Sequence, residues 1–404
     1  MASRIGAVRA PLALKSSIAL ALVALVAWGT SAPAQASEAN LLVSESNAVS
    51  GNQILVYEVA SDGAVRLTQR VDTGQAGTGD YMHTSHAVES LTPTRVLAVN
   101  AGASTVSVLD RSGSTVVQTS VFPVLGRVPT SIATFKDRAY VLSTGMPIVG
   151  DGKTSRRIAR PVIEGFTISA DGTATSFTKI ALAGGCSSYP CRSSMIYGGI
   201  VISPDGRSLL LSESSADRVR VLSLDDAGFI GSSKTTRTQL TGPYGAVWAS
   251  TGAVAISGHT LPTIAGAVTS GRVRDGKYVA AEPLVTVKNS NTCWLAVSPS
   301  GSRLYTMDAG ADTRKQKIGV TTFRMTSSGA LTELGRTLLP WSADEFPSDA
   351  VVSADGKYLY AKALQGMYAF DIDKNGVARY APSKSQFTDP LKLGPTGLAF
   401  VTGS

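Results

Sequence analysis

One phrase recurs along this chain and limits what it can fold into: an apolar strand, a Pro/Asp/Gly turn, a second apolar strand, a small polar loop and a third strand. The cleanest copy runs from Gly199 to Leu224. There Ile200-Val201-Ile202 precede Ser203-Pro204-Asp205-Gly206, and Leu209-Leu210-Leu211 lead through Ser212-Glu213-Ser214 to Val219-Arg220-Val221-Leu222. Asp-Gly and Ser-Gly pairs suit tight hairpins because glycine accepts positive φ without steric cost. Other copies start near His86, Pro129, Gly242, Cys293 and Pro347, with turn or loop markers such as Asn100-Ala101-Gly102, Ser300-Gly301 and Asp355-Gly356. Repeats of this kind read as propeller blades with variable loops.

The chain ends supply one more blade. Residues 41–72 hold three strands but lack the innermost one, whereas Gly394 to Val401 is a lone innermost-type strand with nothing after it. Pairing the two closes a ring and removes an exposed sheet edge. The predicted fold is therefore all-β, a seven-bladed β-propeller closed by the C-terminal strand joining the N-terminal blade. A pair of β-sandwiches is the other way to arrange many short strands. Long apolar stretches of helical period are absent beyond the N-terminal segment. Gly145–Pro161 and His259–Gly276 read as longer loops grafted onto blades.

Residues 1–36 read as a secretory signal peptide: Arg4, Arg9 and Lys15 without an acid, an apolar run from Ile18 to Trp28, then Ala34-Gln35-Ala36 before a cleavage point. The apolar run is shorter than the roughly 20 residues of a membrane span. The expectation is a periplasmic or secreted protein with residues 37–404 as one propeller domain, no membrane span, and a monomeric state. Removing the leader lowers the formal net charge from +8 to +5. No basic stripe with interleaved aromatics is present, so nucleic acid is not an expected partner.

Three cysteines remain. Cys186 and Cys191 bracket a short Ser/Tyr/Pro loop, and in an oxidising compartment a small loop-closing disulfide is the natural reading, ahead of a two-cysteine metal site. Cys293 opens the apolar run Cys-Trp-Leu-Ala-Val and reads as a buried free thiol.

In a four-stranded blade, the loop leading into the innermost strand and the loop joining the second and third strands lie on one face, where function concentrates. The first loop set selects His86, Thr130, Tyr197, Tyr244, Cys293, Asp349 and Thr396; the second selects Glu45, Asn100, Thr144, Glu213, His259 and Asp308. His86, Glu213 and Asp308 are the candidate catalytic residues, with Asn100, Tyr197, Tyr244, Asp349 and Glu45 as candidate substrate-binding residues. The carboxylates can equally cap backbone amides, and the two tyrosines can either stack on a ligand or plug the channel. No nucleophile elbow, zinc-protease motif, phosphate-cradling loop or dinucleotide fingerprint is present. Asp371 to Gly376 starts like a calcium loop but carries Pro382 where such a loop needs glutamate, so it reads as a hairpin. No cofactor is called for, and a metal ion in the channel stays open.

The stretches Val96 to Val108 and Cys293 to Tyr305 resemble the lactonase-type seven-bladed propellers, which include 6-phosphogluconolactonase-like and carboxymuconate-cyclising proteins, in their bacterial exported branch. The resemblance spans nearly all of the chain after the leader and specifies fold more than activity. It implies that His86 is the channel histidine and Glu213 the acidic loop residue. Tyr197-Gly198-Gly199 stands where a histidine is expected and Pro243-Tyr244-Gly245 where an arginine is, which removes cationic partners for a phosphate.

Two functions are compatible with these residues. One is a hydrolase or isomerase of a lactone or related cyclic ester, with His86 as general base, a carboxylate orienting it, and Asn100 and Tyr244 stabilising the oxyanion. The other is a non-catalytic propeller that binds a small molecule or a protein partner at its rim.

Overall fold

A computed structural model of the chain describes residues 40–79, 82, 84–145, 160–183, 197–260, 265–287, 290–309, 318–339, 347–363, 366–387 and 397–402. The leader, Thr396, the Gly145–Pro161 loop apart from its ends, and the Cys186–Cys191 pairing lie outside the described residues. No helix among the described residues is long and apolar enough to cross a membrane.

The described chain forms seven small antiparallel sheets, each built outward from an innermost strand. Those strands are Ala399–Val401 in blade 1, Val88–Thr92 in blade 2, Pro129–Phe135 in blade 3 and Tyr197–Ile202 in blade 4. Ala246–Trp248, Asn291–Val297 and Pro347–Val352 are innermost in blades 5, 6 and 7. Blade 1 has the anticipated closure: Ala399–Val401 pairs with Asn40–Glu45, matching Leu41 to Val401 and Val43 to Ala399. The seam is fastened by Ser44 Oγ donating to the Gly397 carbonyl at 2.8 Å and by Ser90 Oγ of blade 2 donating to the Phe400 carbonyl at 2.6 Å.

The inner hairpins follow from their turn residues. In Ser203-Pro204-Asp205-Gly206 the Gly206 amide donates to the Ser203 carbonyl, and the Asp205 carboxylate accepts the Arg207 amide at 3.0 Å. Gly206 has a φ of +71°, which a side chain would strain. The calcium-loop look-alike is the same device, with the Asp373 carboxylate accepting the Asn375 and Val377 amides between strands Gly366–Ile372 and Ala378–Tyr380.

The core lies between blades. Leu41, Val43, Ile54 and Val56 of blade 1 pack on Val88, Val96, Ala98 and Leu109 of blade 2. In the outermost strand of blade 1, Val65–Asp72, less and more exposed positions alternate, as in a sheet edge with one solvated face.

One loop expectation is corrected. His259 lies in the second strand of blade 5, Val254–Thr260, and most of the segment that follows is the ten-residue strand Ala265–Arg274. Its glycines and small polar residues read as loop, but they are there for close packing. A Cβ on Gly271 would overlap the Val279 carbonyl of the neighbouring strand.

Candidate active site in the central channel

The innermost strands of all seven blades enclose a cavity of about 400 Å³. Each of these strands is the end member of its sheet, so the edge turned to the axis carries backbone N–H and C=O groups outside the ladder. Among the lining residues only His86 and Glu89 are titratable.

His86 sits where the chain bends into blade 2. Its φ of +65° is unusual for a residue with a side chain and is held by neighbours. The His86 amide donates to Asp349 Oδ2 of blade 7 at 3.1 Å, and its carbonyl accepts the Ile132 amide of blade 3 at 2.8 Å. The ring spans the channel: Nδ1 lies 2.5 Å from Glu89 Oε1, and Nε2 lies 3.0 Å from the Ala246 carbonyl of blade 5. A carbonyl can only accept, so Nε2 carries a proton, and Nδ1 facing a carboxylate favours a second. Burial alone would depress the pKa of His86, but the hydrogen bond and charge of Glu89, with Asp349 and the Ala246 carbonyl, raise it to about 9. At neutral pH the ring is an imidazolium held by the Glu89 carboxylate and the Ala246 carbonyl.

Asp349 stands behind it, 2 % exposed. Burial pushes its carboxyl up to about 6, against the opposing pull of His86. Glu89 keeps 28 % of its side chain exposed, with only Oε1 engaged by the ring.

At the end where His86 enters, the channel is closed by contacts across the ring. Trp294 Nε1 of blade 6 donates to the Thr84 carbonyl leading into blade 2 at 3.3 Å, and the Ser85 amide donates to the Gly198 carbonyl of blade 4 at 3.1 Å. Tyr244 packs edge-on against Trp294, ring centroids 5.6 Å apart, within this plug. Thr84, Ser85, Tyr244 and Trp294 are all buried.

The other anticipated site residues are placed elsewhere. Glu213 is 1 % exposed and accepts from Arg218 Nε and, at 2.7 Å, from Arg220 Nε in its own blade. Asp308, fully buried, accepts from Thr292, Thr306 and Thr321 and pairs with Arg336 at 3.2 Å, all in blade 6. Burial raises its pKa to about 6 despite Arg336. Glu45 and Asn100 both accept from Asn52 Nδ2, at 2.7 and 2.9 Å, in a buried link between blades 1 and 2. Tyr197 donates to the Ala183 carbonyl at 2.5 Å within the core between blades 3 and 4. Cys293 is the buried free thiol expected, pushed by burial up to about 12.

His86 thus meets neither Glu213 nor Asp308 through any hydrogen bond or ion pair. The innermost strand stands between each second strand and the axis, so a side chain at the end of a second strand turns into its own sheet or toward the next blade. The residue that joins His86 is Glu89. A strand's two-residue period would place positions 86 and 89 on opposite faces, and the left-handed bend at His86 brings them together. No group of three or more His, Cys, Asp or Glu arranged to hold a metal occurs among the described residues.

The fold is a seven-bladed β-propeller, one that several proteins assigned as lactonases share. A protein of Bacteroides fragilis assigned as a 6-phosphogluconolactonase superposes with a TM-score of 0.68 at 20% identity, covering 92% of this chain and 99% of that one. The periplasmic gluconolactonase of Pseudomonas aeruginosa superposes with a TM-score of 0.64 at 17% identity, covering 91% of this chain and 99% of its own. A Bacteroides uniformis protein, also assigned as a 6-phosphogluconolactonase, gives 0.67 at 17% identity over 90% of this chain. At these identities the likeness is one of fold. No protein-family model matches the sequence, and no curated protein is significantly similar to it.

Proposed function

We propose that this chain is an exported, monomeric enzyme that opens, or isomerises, a small cyclic ester in its central channel. The observation that carries this reading is the His86–Glu89 pair, the one titratable pair among the residues lining the cavity. Glu89 takes the proton of a water as its oxygen bonds to the ester carbonyl carbon. Backbone N–H groups on the channel-facing strand edges stabilise the oxyanion. The ring C–O bond then breaks, and Glu89 returns the proton to the leaving oxygen, which yields a hydroxy acid. His86 is a positioning residue here: an imidazolium at neutral pH that holds Glu89 in place, not the base. Isomerisation uses the same carboxylate to move a proton beside the carbonyl.

Export rests on the leader-like residues 1–36. It is tested by fractionating cells that express the full chain: the protein should be found outside the cytoplasm and shortened at its N-terminus.

A second reading, a ligand-binding propeller without turnover, is favoured by one observation. Both ring nitrogens of His86 are already engaged, so this histidine has no free nitrogen for acid–base work. A panel of lactones separates the two. Turnover that is lost in Glu89→Gln supports the enzyme, and binding without turnover by the native protein supports the second reading.

A further inference from the structure

The channel is blind. Contacts from blade 2 to blades 4, 5 and 6 cross its axis at the loop face, through Ser85 to Gly198, His86 to Ala246 and Thr84 to Trp294. The glycine at 198 lets the backbones meet there: a Cβ would overlap the Tyr244 carbonyl oxygen. At the other end the cavity reaches Thr134, Trp248 and the exposed turn residue Ala354, all where innermost strands give way to their hairpin turns. His86 and Glu89 lie toward the closed end.

The charge of this pocket is specific. Among the described residues no lysine or arginine lines it, although the whole chain carries 37 of them against 29 acids. Its floor holds one cation, His86, against the carboxylates of Glu89 and Asp349. A phosphate or carboxylate arriving there meets net negative charge and no guanidinium or ammonium to replace its water, which is costly in a partly dehydrated site. An uncharged ester meets backbone donors and acceptors and no such penalty. Ring opening gives a hydroxy acid whose carboxyl then releases its proton to solvent, and the carboxylate left beside Glu89 favours departure of the product.

From this we infer that the pocket admits its ligand through the hairpin-turn face and selects uncharged cyclic esters over phosphorylated or ring-opened, anionic ones. This inference rests on the proposed ester chemistry for its substrate class, but it is tested by binding alone. The probes are δ-valerolactam and alkyl-substituted ε-caprolactams as non-hydrolysed ring mimics, the matching hydroxy-acid anions, and inorganic phosphate, titrated into the native protein calorimetrically. The lactams should bind at least tenfold more tightly than the anions, with no heat from phosphate. Equal or tighter binding of hydroxy acid or phosphate overturns the selectivity, as does absence of lactam binding. For the face, Thr134→Phe/Ala354→Phe should slow lactam association at least tenfold in stopped-flow fluorescence, with Trp248 as the reporter. Ser215→Phe, at the exposed position of the turn Ser214–Ala216 on the loop face, should leave the rate unchanged in the same stopped-flow measurement. The reverse pattern overturns the assignment. If lactams bind as stated and no lactone turns over, the enzymatic reading fails and this inference stands; if lactones turn over but anions bind equally well, the inference fails and the reading stands.

Discussion

Nδ1 of His86 lies 2.5 Å from Oε1 of Glu89, three residues further along the same strand entrance, and the left-handed backbone at His86 is what lets the two side chains meet. This pair fixes the charge state of the channel floor, and it makes stability depend on pH in an uncommon direction.

His86 has a folded pKa of about 9 against a reference of 6.5. A raised folded value means that its stabilising contribution is complete below about pH 6.5 and is lost as pH climbs through about 9. The swing is of the order of 3 kcal/mol. Asp349 and Asp308, both raised to about 6 from 3.8, work in the same direction, losing stability as pH rises from about 4 to 6. Thermal unfolding should therefore show its highest Tm at about pH 4 or just below, and Tm should fall in two steps as pH rises, first through about 6 and then through about 9. His86→Asn should flatten the limb between pH 7 and 9. A Tm that rises from pH 6 to 9 in the native protein contradicts this.

The two buried carboxylates taken from the sequence as catalytic should respond differently to neutralisation. Glu213→Gln breaks two charge-assisted bonds from Arg218 and Arg220 and should cost about 2 kcal/mol in urea unfolding. Asp308→Asn should cost less at neutral pH, because burial already disfavours its charge. Neither residue lines the cavity, so lactam affinity should be unchanged in both.

Glycine substitutions separate two kinds of cost. Gly113 has a φ of +60° with nothing within 4 Å of a would-be Cβ, so Gly113→Ala should cost about 1 kcal/mol of backbone strain alone. Gly198→Ala collides with the Tyr244 backbone, which cannot swing aside as a side chain could. It should cost more than about 2 kcal/mol and loosen the plug, seen as faster hydrogen exchange at the Ser85 amide.

Ring closure predicts that removing residues 397–404 exposes the edge of Asn40–Glu45 and leaves Leu41 and Val43 without their strand partner. Size-exclusion chromatography should show aggregation, or urea unfolding a loss of several kcal/mol, from the lost apolar burial and the bared edge.

Most of the architecture is readable from the chain because hairpin turns punctuate it. Ser-Pro-Asp-Gly at 203–206 and Ser-Ala-Asp-Gly at 353–356 mark the same inner hairpin, and the unmatched strand ending at Val401 announces the closure. The site is less readable. Loop position alone placed Glu45, Glu213 and Asp308 on a rim, but the direction of a side chain at the end of a second strand depends on the neighbouring blade, which no local pattern encodes. Glu89 escaped notice because periodicity separates it from His86. The His-x-x-Glu spacing was the available signal, and its meaning depends on a backbone bend set by Asp349 and Ile132, distant in the chain.

The most direct test of the account is the steady-state turnover of uncharged lactones by the native protein and by Glu89→Gln, with lactam binding measured on both. The account predicts turnover by the native protein, a loss in Glu89→Gln of at least about a hundredfold, as for removal of a general base, and lactam affinity retained. Full activity in Glu89→Gln, or no turnover of any lactone by a native protein that binds the lactams, contradicts it.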